Sequence, residues 1–189
     1  MSLSLAHPPF FLSLTGGSCR DFDFVKSRKN SILQKFLKIT DMLKPGDRMP
    51  NFEVVDQDGN TVRSSDLIGR KTIVYFYPKD NTPGCTAEAC SLRDNYDALT
   101  AAGYNVVGVS KDSAASHRKF IEKNGLPFTL LSDTSTEMLQ AFGAWGEKKM
   151  CGKTSVGTLR RTFIFSEDGI LERVIEKVDT KGHAAQILG

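Results

Sequence analysis

The stretch Tyr75-Phe76-Tyr77-Pro78-Lys79-Asp80-Asn81-Thr82-Pro83-Gly84-Cys85-Thr86-Ala87-Glu88-Ala89-Cys90 decides how this chain reads. Thr72 to Tyr77 is β-branched and aromatic at both parities, the pattern of a strand buried on both faces. Pro78 ends that strand, a short polar loop follows, and Pro83-Gly84 opens a helix whose first turn holds Cys85. A helix N-terminus presents unpaired N–H groups and the positive end of the helix dipole, which favour a thiolate over a thiol. Cys85 is therefore placed as a nucleophile rather than as an inert buried side chain. Thr82, three residues earlier, can direct its hydroxyl toward the same space, while Pro78 and Pro83 lack N–H groups and can wall off water.

Outward from this stretch, strand-like and helical runs alternate. Phe52 to Val55 and Thr61 to Arg63 flank Asp56-Gln57-Asp58-Gly59-Asn60, a hairpin signal with Asp-Gly at its turn. The spacing of Leu92, Tyr96 and Leu99 predicts one helix over 84–102. Tyr104 to Ser110 reads as a second buried strand, Ser113 to Lys123 as a helix and Phe128 to Leu131 as a strand. Ser135 to Phe142 reads as a helix capped by Asp133 or Thr134. Arg161 to Phe165 and Ile170 to Val178 form a hairpin across Glu167-Asp168-Gly169, and His183 to Leu188 starts a last helix. Such an order predicts an α/β fold with a mixed sheet flanked by helices. Lys148-Lys149 reads as a solvated loop, His117 beside Arg118 and Lys119 as a surface residue, and Phe142 and Trp145 as side chains packed over the site.

At 189 residues, 40% hydrophobic and 25% charged, the chain has the composition of one folded domain. Nowhere does it approach the roughly 18 to 20 uninterrupted apolar residues of a membrane-spanning helix. The net charge of +3 sits in residues 1–41, where six Lys and Arg face three Asp, whereas residues 42–189 carry 19 of each sign. A neutral body excludes the basic surface that a nucleic-acid binder uses against phosphates. Residues 1–41 show no sustained periodicity until about Ser31 and read as a disordered tail, an over-long start or an organelle-targeting segment, with the domain beginning at Met42. Four cysteines, Cys19, Cys85, Cys90 and Cys151, include no C-x-x-C pair and are too few for the disulfide framework of a small secreted domain. A reducing compartment such as the cytoplasm and no structural metal are expected.

Pro78-x-x-x-Thr82-x-x-Cys85 resembles the P-x-x-x-T-x-x-C signature of peroxiredoxins, and Cys90 five residues later resembles the bacterioferritin comigratory protein or peroxiredoxin Q subgroup. The likeness extends over 42–188, through Lys44-Pro45-Gly46-Asp47, Phe142-Gly143-Ala144-Trp145, Lys149-Met150 and Arg160-x-Thr162-Phe163-Ile164. It implies a thioredoxin-like fold and thiol-dependent reduction of hydrogen peroxide and alkyl hydroperoxides without a cofactor. Cys85 is then the peroxidatic cysteine and Cys90 the resolving one, with Thr82, Pro78 and Arg160 completing the site. Thioredoxin or a similar dithiol is the implied reductant, and a monomer the expected state. Arg160 rather than Arg161 is selected by the family pattern of Arg, any residue, Thr or Ser, then Phe. Cys151 reads either as a bystander or as a substitute partner for Cys85. A thioredoxin-like disulfide carrier fits less well, because such carriers use C-x-x-C. For a redox-sensing or chaperone-like module, the sequence offers no exposed apolar repeat.

Overall fold

A computed structural model of the chain describes residues 42–150 and 153–189. The expectations for residues 1–41, and those for Cys19 and Cys151, lie outside the described residues. Strand β1 (Glu53–Asp56) and β2 (Thr61–Arg63) form the expected hairpin. The Asp56 carboxylate closes its turn by accepting the N–H groups of Asp58 and Asn60, each at 2.8 Å. Then follow β3 (Lys71–Phe76), α1 (Pro83–Asp94), α2 (Tyr96–Ala101), β4 (Tyr104–Ser110), α3 (Ala114–Asn124), β5 (Thr129–Ser132) and α4 (Glu137–Ala141). The ribbon β6 (Trp145–Met150) and β7 (Lys153–Thr158) precedes β8 (Arg161–Phe165), β9 (Leu171–Ile175) and α5 (His183–Leu188).

Seven strands form one sheet in the order β2-β1-β5-β4-β3-β8-β9. β3, β4 and β5 run parallel, and the remaining pairs are antiparallel. β3 lies between β4 and β8, so its side chains divide between two buried faces. Ile73, Tyr75 and Tyr77 join Cys85, Ala89, Leu92, Leu99, Phe120, Ala184 and Ile187 on one face. Val74 and Phe76 join Leu139, Phe142, Phe163 and Phe165 on the other. The same alternation along β8 sends Ile164 to the first cluster and Phe163 and Phe165 to the second. Among the described residues, no helix is long and apolar enough to cross a membrane.

Several expectations are corrected. The predicted helix over 84–102 is two helices that meet at Asn95 (φ −114°, ψ 16°), whose side-chain amide donates to the Ser91 carbonyl at 2.9 Å. The apolar spacing survives the break, since Leu92 and Leu99 are both fully buried. The helix expected from Ser135 starts only at Glu137, after Thr136 at φ 66°. Asp133 reaches past the cap position to accept the Leu139 N–H at 2.7 Å. Lys148 and Lys149 belong to the β6–β7 ribbon rather than to a loop. Phe142 and Trp145 pack in the second cluster, across the sheet from the one that holds Cys85. His117 is fully buried, because its ring is drawn in by Asp80 and by the Leu131 carbonyl.

Gly108 sits where β4 passes under Tyr75 and Leu130. A Cβ there would lie 2.6 Å from Leu130 Cδ2 and 2.7 Å from Tyr75 Cζ, both in fully buried side chains. Gly108→Ala is expected to lower stability by about 1–3 kcal/mol through overpacking, measured by urea unfolding. An unchanged midpoint would show that Tyr75 and Leu130 move aside freely.

Candidate active site

Cys85 is the third residue of α1, after Pro83 and Gly84, with Thr82 at the N-cap. Pro83 gives the helix a start with φ already set and no N–H to satisfy. The first backbone bond of the helix runs from the Thr86 N–H to the Thr82 carbonyl at 2.9 Å. The N–H groups of Gly84 and Cys85 thus lie among the unpaired donors of the first turn. The Cys85 side chain is buried, with the residue 1% exposed. Thr82 donates its hydroxyl to the Lys79 carbonyl at 3.1 Å, bracing the loop, and Pro78 stands half-buried at the end of β3. Cys90, half-buried, lies on the same helix, five residues on.

Arg160 immediately precedes β8 and shares the parity of Thr162 and Ile164, so it faces α1. Its Nη2 donates to Cys85 Sγ at 3.1 Å, and its Nη1 donates to Glu88 Oε2. Arg161 points to the opposite face, donating to the Gly143 carbonyl at 2.6 Å and pairing with Glu176. The two arginines are therefore separated by strand parity. The structure brings Cys85 and Arg160 into contact, sets Thr82 and Pro78 along the loop that leads to them, and leaves Cys90 further down the helix.

Glu88 escaped the sequence reading, although it sits three residues after Cys85 and hence on the same helix face. It is fully buried, and burial raises its carboxyl to about 7 against the opposing pull of Arg160. Burial works against the charge on Arg160, but Glu88 and Cys85 outweigh it and raise the guanidinium further. Behind the carboxyl stands His183, the first residue of α5, whose Nε2 lies 2.9 Å from Thr162 Oγ1 and 3.8 Å from Glu88 Oε1. Burial lowers His183 to about 4. It is neutral at physiological pH, so its proximity to Glu88 is not an ion pair. Glu88 Oε1 and the Tyr75 hydroxyl have no hydrogen-bond partner among the described residues.

Residues 45–174 match the model of the AhpC/TSA family. The chain is 48% identical over 148 residues to a putative peroxiredoxin of Mycobacterium tuberculosis, covering 78% of this chain and 94% of that protein. It is 46% identical over 146 residues to peroxiredoxin Bcp of Escherichia coli K12, covering 77% and 94%. Among solved structures, a Xanthomonas campestris peroxiredoxin Q aligns with a TM-score of 0.70 and 33% identity, covering 79% of this chain and 94% of that one. The Xanthomonas campestris bacterioferritin comigratory protein, described for its alkyl peroxide reduction activity, aligns with a TM-score of 0.69 at the same identity and coverage. The fold is thioredoxin-like, as in these neighbours.

Glu88 and His183 impose opposite pH dependences on stability. Glu88 keeps its proton in the folded chain up to about pH 7 against an ordinary value of 4.5, so its contribution falls as pH rises between these values. His183 stays neutral down to about 4 against an ordinary 6.5, so its contribution rises with pH across that interval. Each amounts to ~3 kcal/mol from the size of its displacement, and the two oppose each other. Urea unfolding from pH 4 to 7.5 should therefore show stability rising with pH in Glu88→Gln relative to the wild type and falling in His183→Asn relative to it. Three parallel curves would refute the assignment.

Proposed function

The chain belongs to the AhpC/TSA family, in its bacterioferritin comigratory protein or peroxiredoxin Q group, and from that premise we propose that Cys85 reduces hydrogen peroxide and alkyl hydroperoxides. The Cys85 thiolate attacks one peroxide oxygen, the O–O bond breaks, and the second oxygen leaves as hydroxide or alkoxide and takes a proton. Cys85 is left as a sulfenic acid. The Cys90 sulfur attacks it, water departs, and an intramolecular disulfide forms. Thioredoxin or a similar dithiol protein then reduces that disulfide by exchange. Each step needs only thiols and protein donors, with no metal or organic cofactor.

The observation that carries this reading is the contact between Arg160 Nη2 and Cys85 Sγ at 3.1 Å. A guanidinium stays charged and presents donors in a fixed fork, so it can hold the sulfur and receive charge on the departing oxygen. Glu88 aims the fork from behind. Because its carboxyl titrates near neutral pH, it does not fully cancel the guanidinium charge. The free N–H groups of the first turn supply further donors, the Thr82 hydroxyl, bonded to the Lys79 carbonyl, braces the loop and leaves its lone pairs to accept, and Pro78 shields the sulfur from water.

Cys85 and Cys90 both lie on α1, where five residues of ideal helix separate Cα atoms by about 8.6 Å on divergent faces. A disulfide requires less than about 7 Å. Oxidation therefore unwinds the first turns of α1, which Gly84 and the β-branched Thr86 make mediocre helix. The working unit is a monomer of residues 42–189, in the cytoplasm, or in an organelle if residues 1–41 direct it there.

Cys85→Ser should abolish peroxide consumption with any reductant. Cys90→Ser should retain a single oxidation of Cys85 but lose turnover with thioredoxin. Arg160→Met should slow the peroxide step by about 10²-fold or more, and Arg161→Met by little. Stopped-flow peroxide consumption distinguishes these outcomes, and equal losses from both arginine substitutions would overturn the assignment of Arg160.

A further inference from the structure

The loop from β3 to α1 carries Pro78 and Thr82, yet its middle residue is sealed inside the protein. Asp80 is 5% exposed, and its polar atoms are heavily engaged. Its N–H donates to Asp112 Oδ2 at 2.7 Å. Its carboxylate accepts from the Tyr77 hydroxyl at 2.8 Å and the Ser116 hydroxyl at 2.7 Å, and faces His117 Nδ1 at 3.0 Å. Ser110 Oγ donates to the same Asp112 oxygen at 2.9 Å, so Tyr77 just past β3, the loop, β4 and α3 share one polar network. The peroxide chemistry described above uses none of these groups.

The protons in this network follow from its geometry. His117 Nε2 faces the Leu131 carbonyl at 3.2 Å, which can only accept. Nδ1 faces the Asp80 carboxylate and, at 3.3 Å, the Tyr77 hydroxyl oxygen, whose own proton is directed to Asp80 Oδ1. An imidazolium would satisfy acceptors at both ring nitrogens and would pair with an ionised Asp80. Burial opposes the charge on Asp80, but the bonds from His117, Ser116 and Tyr77 outweigh it and hold the carboxyl below its ordinary range.

The next residue, Asn81, has φ 58°, a left-handed conformation that costs energy for any residue but glycine and that asparagine tolerates best. Such a turn persists only where its surroundings over-determine it. One residue later comes Thr82, and three after that Cys85.

We infer that Asp80 and His117 are positioning residues: their buried hydrogen-bonded contact holds the turn at Asn81 and so fixes Thr82 and the first turn of α1 beneath Arg160. This rests on the peroxidase reading, and the experiment separates the two. In the full-length reduced chain at pH 7, proton–nitrogen NMR should show two ring N–H signals from His117, identified by their loss in His117→Asn. A single ring N–H would overturn the ion pair. Single-turnover oxidation of Cys85 by hydrogen peroxide, which involves no external reductant, is then compared among Asp80→Asn, His117→Leu and His117→Asn. The first two should react at least tenfold more slowly than wild type. His117→Asn, whose amide places a donor near the Nδ1 position, should recover most of the rate. Wild-type rates in Asp80→Asn and His117→Leu, or His117→Asn as slow as His117→Leu, would overturn the positioning role. If His117→Leu does not fold, Asp80→Asn, nearly isosteric, carries the same comparison against wild type. A wild-type chain inert to peroxide would instead overturn the peroxidase reading and the positioning role with it, while the NMR signals still decide the ion pair.

Discussion

One guanidinium serves two acceptors. Arg160 donates to the sulfur of Cys85 with one nitrogen and to the carboxylate of Glu88 with the other, and both of those residues are buried on α1. Glu88 is tolerated at zero exposure because Arg160 lies against it, and even so its carboxyl is raised to about 7. Removing the arginine would leave a buried acid without its counter-ion, a loss of about 3–5 kcal/mol wherever the acid remains ionised. The register of β8 is what makes the arrangement possible, since a slip of one residue would offer Arg161 to α1 and turn Arg160 toward Gly143.

The proposed mechanism requires helix α1 to be both a firm platform and a breakable one. Its last turn is fastened: Arg93 donates to the Asn124 carbonyl at 2.6 Å, and Ser91 Oγ accepts the Ala184 N–H at 3.3 Å. Leu92 is fully buried beside them. Its first two turns carry Gly84, Thr86 and alanines, and apart from the buried Cys85, Glu88 and Ala89 they contribute little apolar packing. In the proposed mechanism, unwinding confined to residues before Ser91 would free Cys90 to approach Cys85 while the core contacts of Leu92 and the support of α5 persist. The loop before the helix is held at Asp80, so the segment proposed to move is bounded by hydrogen-bonded structure on both sides.

Much of this was legible in the chain because hydrophobic parity carries strand and helix identity. Tyr104 to Ser110 and His183 to Leu188 have the bounds that their patterns predict, and β3 differs by one residue at each end. The β6–β7 ribbon was not legible, since a two-stranded ribbon exposing Val156 at 61% imposes no apolar alternation and is held by backbone pairing. His117 was misread because its neighbours Arg118 and Lys119 are solvated, whereas its burial is decided by Asp80, 37 residues away. Glu88 was within reach: an acidic residue on the helix face it shares with Cys85 and Leu92, which packs inward, calls for a cation, and Arg160 supplies it.

The proposed mechanism stands or falls on whether α1 opens when Cys85 and Cys90 join. Amide hydrogen exchange followed residue by residue in the reduced and disulfide forms tests this most directly. Protection at Thr86 to Cys90 should be lost on oxidation, while that of Leu92 and of β3 and β4 remains. Unchanged protection at Thr86 to Cys90, with the Cys85–Cys90 bond verified by mass spectrometry, would contradict it.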